Sequence, residues 1–122
     1  DVTHDTRTPM ISKIENGDNS CSSGPTLTYA PSVHNKLQQF VIDIAEKAKI
    51  PIQLSAASRS TGTDTDAFAY SNGGIPSILI SLPLRYMHTT VEMAHKEDVE
   101  NVIKLMYETL IKFDPKFDFK YF

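Results

Sequence analysis

Cysteine is nearly absent from this chain, and so are long apolar runs and clusters of positive charge. With one cysteine, Cys21, in 122 residues, no internal disulfide can form, and a reducing compartment is the expected setting. No run of more than two basic residues occurs, and twelve Lys and Arg against fifteen Asp and Glu leave a net charge of −3. The electrostatic footprint of a nucleic-acid binder is therefore missing. The most apolar stretch, Ile75 to Leu84, is interrupted by Pro76, Ser77, Ser81 and Pro83; it reaches about half of the roughly 20 residues that a membrane span needs. No secretory leader is visible, and a cytoplasmic location is the default expectation. HExxH, CxxC, GxSxG and the phosphate-binding glycine loop are all absent, so no common short catalytic signature assigns the chemistry.

What is present suits one globular domain. The length allows one core but not two ordinary domains, and 40% apolar with 22% charged residues excludes a disordered chain. Residues 4–25, with Asn16-Gly17 and Gly24-Pro25, read as a long loop holding at most a short hairpin. Thr26 to Ala30 alternates as a strand. Val33, Leu37, Phe40, Val41, Ile44, Ala45 and Ala48 form one helical stripe, with Ser32 as the expected N-cap and Pro51 as the stop. Ile52 to Ala56 alternates again. A polar stretch, Ser58 to Asp66, leads into a helix of about eight residues ending at Gly73-Gly74. A strand is expected over 76–82. A last helix starts near Lys96, with His95 as N-cap, Asp98 in the capping-box position and Val99, Val102, Ile103, Met106 and Leu110 as its buried stripe. Five aromatics in the final ten residues should pack on the core or on a partner. Alternating strands and helices predict an α/β three-layer sandwich, with helices on both faces of a partial, mixed sheet. The opening Asp1-Val2-Thr3, without an initiator methionine, reads either as the last residues of a strand that begins elsewhere or as a flexible terminus left by trimming of a start methionine.

The titratable candidates near strand ends and helix starts are Asp1, His4, Asp64, Asp66, His88 and Glu92. His88 follows the expected strand at 76–82, at the kind of sheet edge where ligands and metals sit in open α/β folds. It reads as a metal ligand or general base, or as an ordinary loop histidine. Glu92 is placed to orient that imidazole or to face solvent. The loop at 60–64 offers helix N-terminal N–H groups to an anion or oxyanion, although Thr63 and Asp64 suffice as simple caps. His34 reads as a surface or helix-end residue. Cys21, without a paired histidine, has little claim as a nucleophile.

Five segments in order resemble the carboxyl-terminal part of the dinuclear-metal aminopeptidases, the tetrahedral, deblocking and glutamyl aminopeptidase family that includes proteins once named endoglucanase M. They are Asp1-Val2-Thr3 with Pro9; Gly24-Pro25; Ile50-Pro51-Ile52-Gln53; Gly62-Thr63-Asp64 running on to Gly74-Ile75-Pro76; and Pro83-Leu84-Arg85-Tyr86-Met87-His88 followed by Glu92 and Asp98-Val99. The resemblance implies half of a metallopeptidase catalytic domain spanning 1–122. Asp1 would be a carboxylate ligand to one of two divalent ions, zinc or cobalt, and His88 the imidazole ligand to the other. Gly62, Thr63 and Asp64 would form the active-site loop, Arg85 and Tyr86 would shape substrate or subunit contacts, and Glu92 would support His88.

The implied partners are a peptide substrate and further copies of the intact protein, with neither nucleic acid nor membrane. The implied reaction is removal of N-terminal residues from short peptides by a metal-bound hydroxide. The general-base glutamate, the remaining metal ligands and a β-rich insert precede the position of Asp1 in that family. The isolated chain is therefore expected neither to hold both ions fully nor to turn over. Ser60-Thr61-Gly62 replaces the family's glycine-rich turn, Asp66 replaces a small residue, and His95 stands where an aspartate is common. The alternative is a non-catalytic, oligomeric module that binds a peptide or partner, which a discrete, well-folded oligomer would favour.

Overall fold

A computed structural model describes residues 1–121. The strands are β1 (Val2–His4), β2 (Thr26–Tyr29), β3 (Gln53–Ala56), β4 (Ile80–Arg85) and β5 (Met93–Ala94); the helices are α1 (Lys13–Asn16), α2 (Asn35–Ala48), α3 (Asp64–Phe68) and α4 (Lys96–Lys112). The sheet runs β1-β4-β2-β3, with β5 also paired to β4. β1 is parallel to β4 and β2 to β3, while β2 and β5 run antiparallel to β4. The expected α/β architecture with a partial mixed sheet is the observed one.

Registers and strand alternation give the sheet two unlike faces. Leu27, Leu54 and Ile80 share one of them, and Leu27 joins Val41, Ile42, Ile44 and Ala45 of α2 and Leu105 of α4 in the core. Both long helices therefore lie on the apolar side. Thr26, Thr28, Gln53, Ser55 and Ser81 share the opposite face, which is bordered by short α1 and by the loop 57–63.

Helix α2 forms where its periodicity places it, and it ends on Lys49 in the left-handed region (φ 54°), whose N–H bonds back into the last turn. Its start differs from expectation. The N-cap is His34, whose Nδ1 accepts the N–H of Leu37 at 3.3 Å, because the Ser32 hydroxyl is taken by Asp66 at 2.7 Å. His34 also stacks on Tyr121 and bonds the Phe119 carbonyl, and Phe113, Phe117 and Phe119 gather around Phe40. The aromatic tail thus packs onto α2 as expected, with Phe122 outside the described residues.

The fourth strand begins and ends later than the expected 76–82 and runs straight through Pro83. The N–H of Leu82 donates to the Asp1 carbonyl, so alternation turns the Pro83 nitrogen to the other side of the strand. There β2 pairs no further than Ser81, and β5 begins only opposite Leu84. The missing donor falls in a gap between neighbours, and the proline costs no ladder bond.

In α4, His95 is the N-cap but makes no side-chain cap bond. Asp98 is fully buried and reaches away from its own helix, accepting the N–H groups of Ser22 at 2.6 Å and Gly24 at 2.8 Å. It pins the loop before β2 instead of completing a capping box. Asp98→Ala strips two charge-assisted bonds and leaves their donors unmet, so a loss of roughly 3 kcal/mol is expected in urea titrations. An unchanged midpoint would show the loop to be held otherwise. The expected buried stripe of α4 is also corrected. Leu105 is buried, but Val99, Ile103, Met106 and Leu110 are exposed, Leu110 to 72%. Periodicity told which face is apolar, and no described residue covers it.

Candidate functional site

Two groups of the expected site residues emerge, at different places on the sheet. The first surrounds a groove of about 590 Å³ on the hydroxyl-bearing face, whose floor includes Thr3, Thr28, Ser55 and Ser81, one residue from each of four strands. Asp1 extends the β1 ladder, bonding Ile80 and Leu82 through its backbone, and alternation puts it on the face of Thr3. Its carboxylate is exposed and accepts the adjacent Val2 N–H at 2.7 Å. Thr61 and Thr63 line the same groove, as does Arg59.

The loop before α3 is built around Asp66. Its carboxylate accepts the Ser32 hydroxyl and the N–H groups of Thr61 (2.9 Å) and Gly62 (3.0 Å). Thr61 and Thr63 bond each other at 2.8 Å, and Thr63 caps the helix by accepting the Thr65 N–H. The expected anion site therefore has two of its donors already occupied by Asp66, and α3 is five residues long, shorter than the eight expected. The Ser32 hydroxyl and the Thr61 N–H lead in holding the Asp66 carboxyl below its ordinary value. A depressed folded-state pKa stabilises the fold fully above the unfolded value of about 3.9 and loses that contribution as pH falls through the folded value. The stability gap between wild type and Asp66→Asn is therefore expected to be widest above about pH 4 and to close in stronger acid. A gap that does not depend on pH would contradict this.

The second group lies beyond the end of β4. Arg85 closes the strand, its guanidinium carbon 5.3 Å from the centre of the Tyr86 ring, and its buried Nε has no hydrogen-bond partner among the described residues. Tyr86 and His88 both take positive φ, 54° and 64°, which folds the chain back toward β5. Glu92 does hold His88, but through the backbone: its carboxylate accepts the His88 N–H at 2.6 Å, and the imidazole is exposed. His4 ends β1 opposite Leu84 on the other face from the groove.

Just after β1, Asp5 is almost wholly buried. Burial alone would raise its pKa, but the N–H groups of Arg7 and Cys21 outweigh this and hold it low. Burial first, then the neighbouring Asp5 carboxylate, pushes the Cys21 thiol up to about 11, so it stays protonated at neutral pH and is no nucleophile.

These positions match a known family over most of the chain. A profile described as M42 glutamyl aminopeptidase matches residues 1–105. The chain belongs to that family. It is 38% identical over 92 residues to a lysyl aminopeptidase of Pyrococcus furiosus, a match covering 75% of this chain and 27% of that protein. Its fold is similar to the TET aminopeptidase of a marine sediment archaeon of the Thaumarchaeota, with TM-score 0.80 and 29% identity over 95% of this chain and 33% of the other. The TET1 peptidase of Pyrococcus horikoshii, described as assembling into a tetrahedron or a large octahedral shell, is similar with TM-score 0.59 and 32% identity, over 77% of this chain and 28% of that one. The M42 chain described here thus spans about a third or less of the length of these relatives.

M42 aminopeptidases are generally metal-dependent. A catalytic zinc takes about three protein ligands plus water, and the exposed carboxylate of Asp1 and imidazole of His88 have suitable donor chemistry. Among the described residues, however, no three His, Cys, Asp or Glu side chains gather to hold an ion. The donors of this chain do not by themselves fit a metal centre, and no catalytic step follows from them alone. Sequence reasoning missed Arg59, and it read Asp66 as a replacement for a small residue instead of as the post around which the loop is wound. The signal for Asp66 was its spacing, four and five residues after Gly62 and Thr61, within reach of their N–H groups.

Proposed function

We propose that this M42 chain is part of an aminopeptidase catalytic domain that removes N-terminal residues from short peptides in the cytoplasm. Asp1 and His88 each give one donor to a centre of two divalent ions, zinc or cobalt, completed by residues of a longer protein. Gly62, Thr63 and Asp64 border the substrate, Arg85 and Tyr86 shape substrate or subunit contacts, and Glu92 supports the turn that carries His88 by accepting the His88 backbone N–H. The intact protein assembles with further copies of itself. The observation that carries the reading is the family match over residues 1–105, a span that includes Asp1 and the β4–β5 turn.

Among the described residues no three donor side chains gather at one metal centre, so the isolated 122-residue chain is expected to be inactive. Assayed on aminoacyl-p-nitroanilides with zinc or cobalt added, it should release p-nitroaniline no faster than the metal alone. Saturable turnover by the purified chain would show that its own residues complete the centre, contrary to the ligand count.

A further inference from the structure

The groove beside Asp1 carries charges that the family assignment does not use. Arg59 and Glu15 both line it, both are exposed, and neither forms an ion pair with another described residue. The volume of about 590 Å³ lies within the range of small-molecule sites. Its floor of Thr and Ser hydroxyls donates and accepts hydrogen bonds alike, which suits the alternating N–H and C=O groups of a peptide and gives little to an apolar ligand. A guanidinium offers a planar fork of donors that matches a carboxylate two bonds at a time. Glu15 on α1 adds a negative charge to the same groove, which disfavours a polyanion and limits the fit to a ligand with one carboxylate near Arg59.

We propose that this groove binds a short peptide by its carboxylate and that Arg59 is the residue that anchors it. The choice of a peptide as ligand rests on the aminopeptidase reading; the carboxylate preference rests on the groove alone. Two sources present the same chemistry, the C-terminal carboxylate of a very short peptide and an acidic side chain. Arg59 is exposed and makes no hydrogen bond to another described residue, so Arg59→Gln is expected to keep the fold and isolate the charge.

The test is titration of the chain, followed by amide NMR shifts, with a chelator present so that metal and turnover play no part. The probes are Ala-Ala, Ala-Ala-amide and Glu-Ala-amide. At least one carboxylate-bearing probe is expected to saturate, moving Thr28, Ser55 and Arg59 signals, with Ala-Ala-amide binding at least roughly tenfold more weakly. Arg59→Gln is expected to erase that difference, and Arg59→Lys to restore part of it. Preference for Ala-Ala assigns the C-terminus, and preference for Glu-Ala-amide assigns the side chain. Equal binding of all three probes, no binding of any, or a preference unchanged in Arg59→Gln overturns the proposal. None of these outcomes bears on whether the longer protein hydrolyses peptides.

Discussion

Gly24→Ala is expected to destabilise the fold by more than about 3 kcal/mol. Gly24 has φ +90°, in the left-handed region, and an added Cβ would stand 2.1 Å from the Pro51 carbonyl oxygen and 2.6 Å from its carbon. The obstacle is backbone, and it cannot withdraw. The Gln53 side chain bonds both Ser20 and Gly24, and the Gln53 N–H bonds the Pro25 carbonyl. Gly24 is also one of the two donors that Asp98 holds. The left-handed conformation alone costs roughly 1–2 kcal/mol for an L residue. The overlap adds enough to take the total above about 3 kcal/mol, a large share of the 5–15 kcal/mol that holds a typical domain together. Thermal melts followed by circular dichroism should show a midpoint lower by on the order of 10 °C or more, or no folded protein at all. Gly62→Ala is the control, since Gly62 has φ +71° but nothing within 4 Å of its Cβ, and it should lose only the conformational part. If the two variants melt alike, the contact with Pro51 is not what requires glycine at position 24. Because Gly24 and Asp98 share a hydrogen bond, their substitutions are also expected to be less than additive.

The fold was legible wherever one element carries its own period. Helix α2 and the start of α4 follow directly from apolar spacing, and β2 and β3 follow from alternation. What was missed depends on neighbours. Pro83 reads as a strand stop until the strand order shows that its nitrogen faces a gap. Periodicity identified the apolar stripe of α4 but cannot tell whether anything lies over it. α1 has four residues and β5 two, too few for any period to register.

The candidate site divides in the same way. The run Ser58 to Asp66 announced a helix start, and Thr63 is its cap. That Asp66 would claim the loop's N–H groups required the close turn at Gly62. The groove was hidden because its floor takes one residue from each of four strands that are distant in sequence. Half of its signal was nonetheless present, in the Thr-Leu-Thr of β2 and the Gln-Leu-Ser of β3, whose alternation puts polar side chains on one face. Arg59 stood in a polar loop where a single cation draws no notice until the groove is formed.

The other large effect concerns His88. In a full-length M42 aminopeptidase carrying this segment, the proposed role of His88 makes His88→Ala the loss of one of about three protein ligands that a catalytic ion requires. Weakening even a supporting contact to such a ligand costs roughly 10- to 100-fold, so removal of the ligand itself should cost more than about a hundredfold in kcat/KM. The backbone bond from His88 to Glu92 does not involve the imidazole, so the turn and the fold should survive. The decisive measurement is therefore paired on one preparation of wild type and His88→Ala: bound divalent metal by elemental analysis, and peptide turnover with metal in excess. The account predicts that the variant melts with wild type, holds less metal and has lost turnover by more than about a hundredfold. A variant that folds, keeps its full metal complement and turns over at the wild-type rate would contradict the assignment of His88, and with it the reading of this chain as part of a metal-dependent peptidase site.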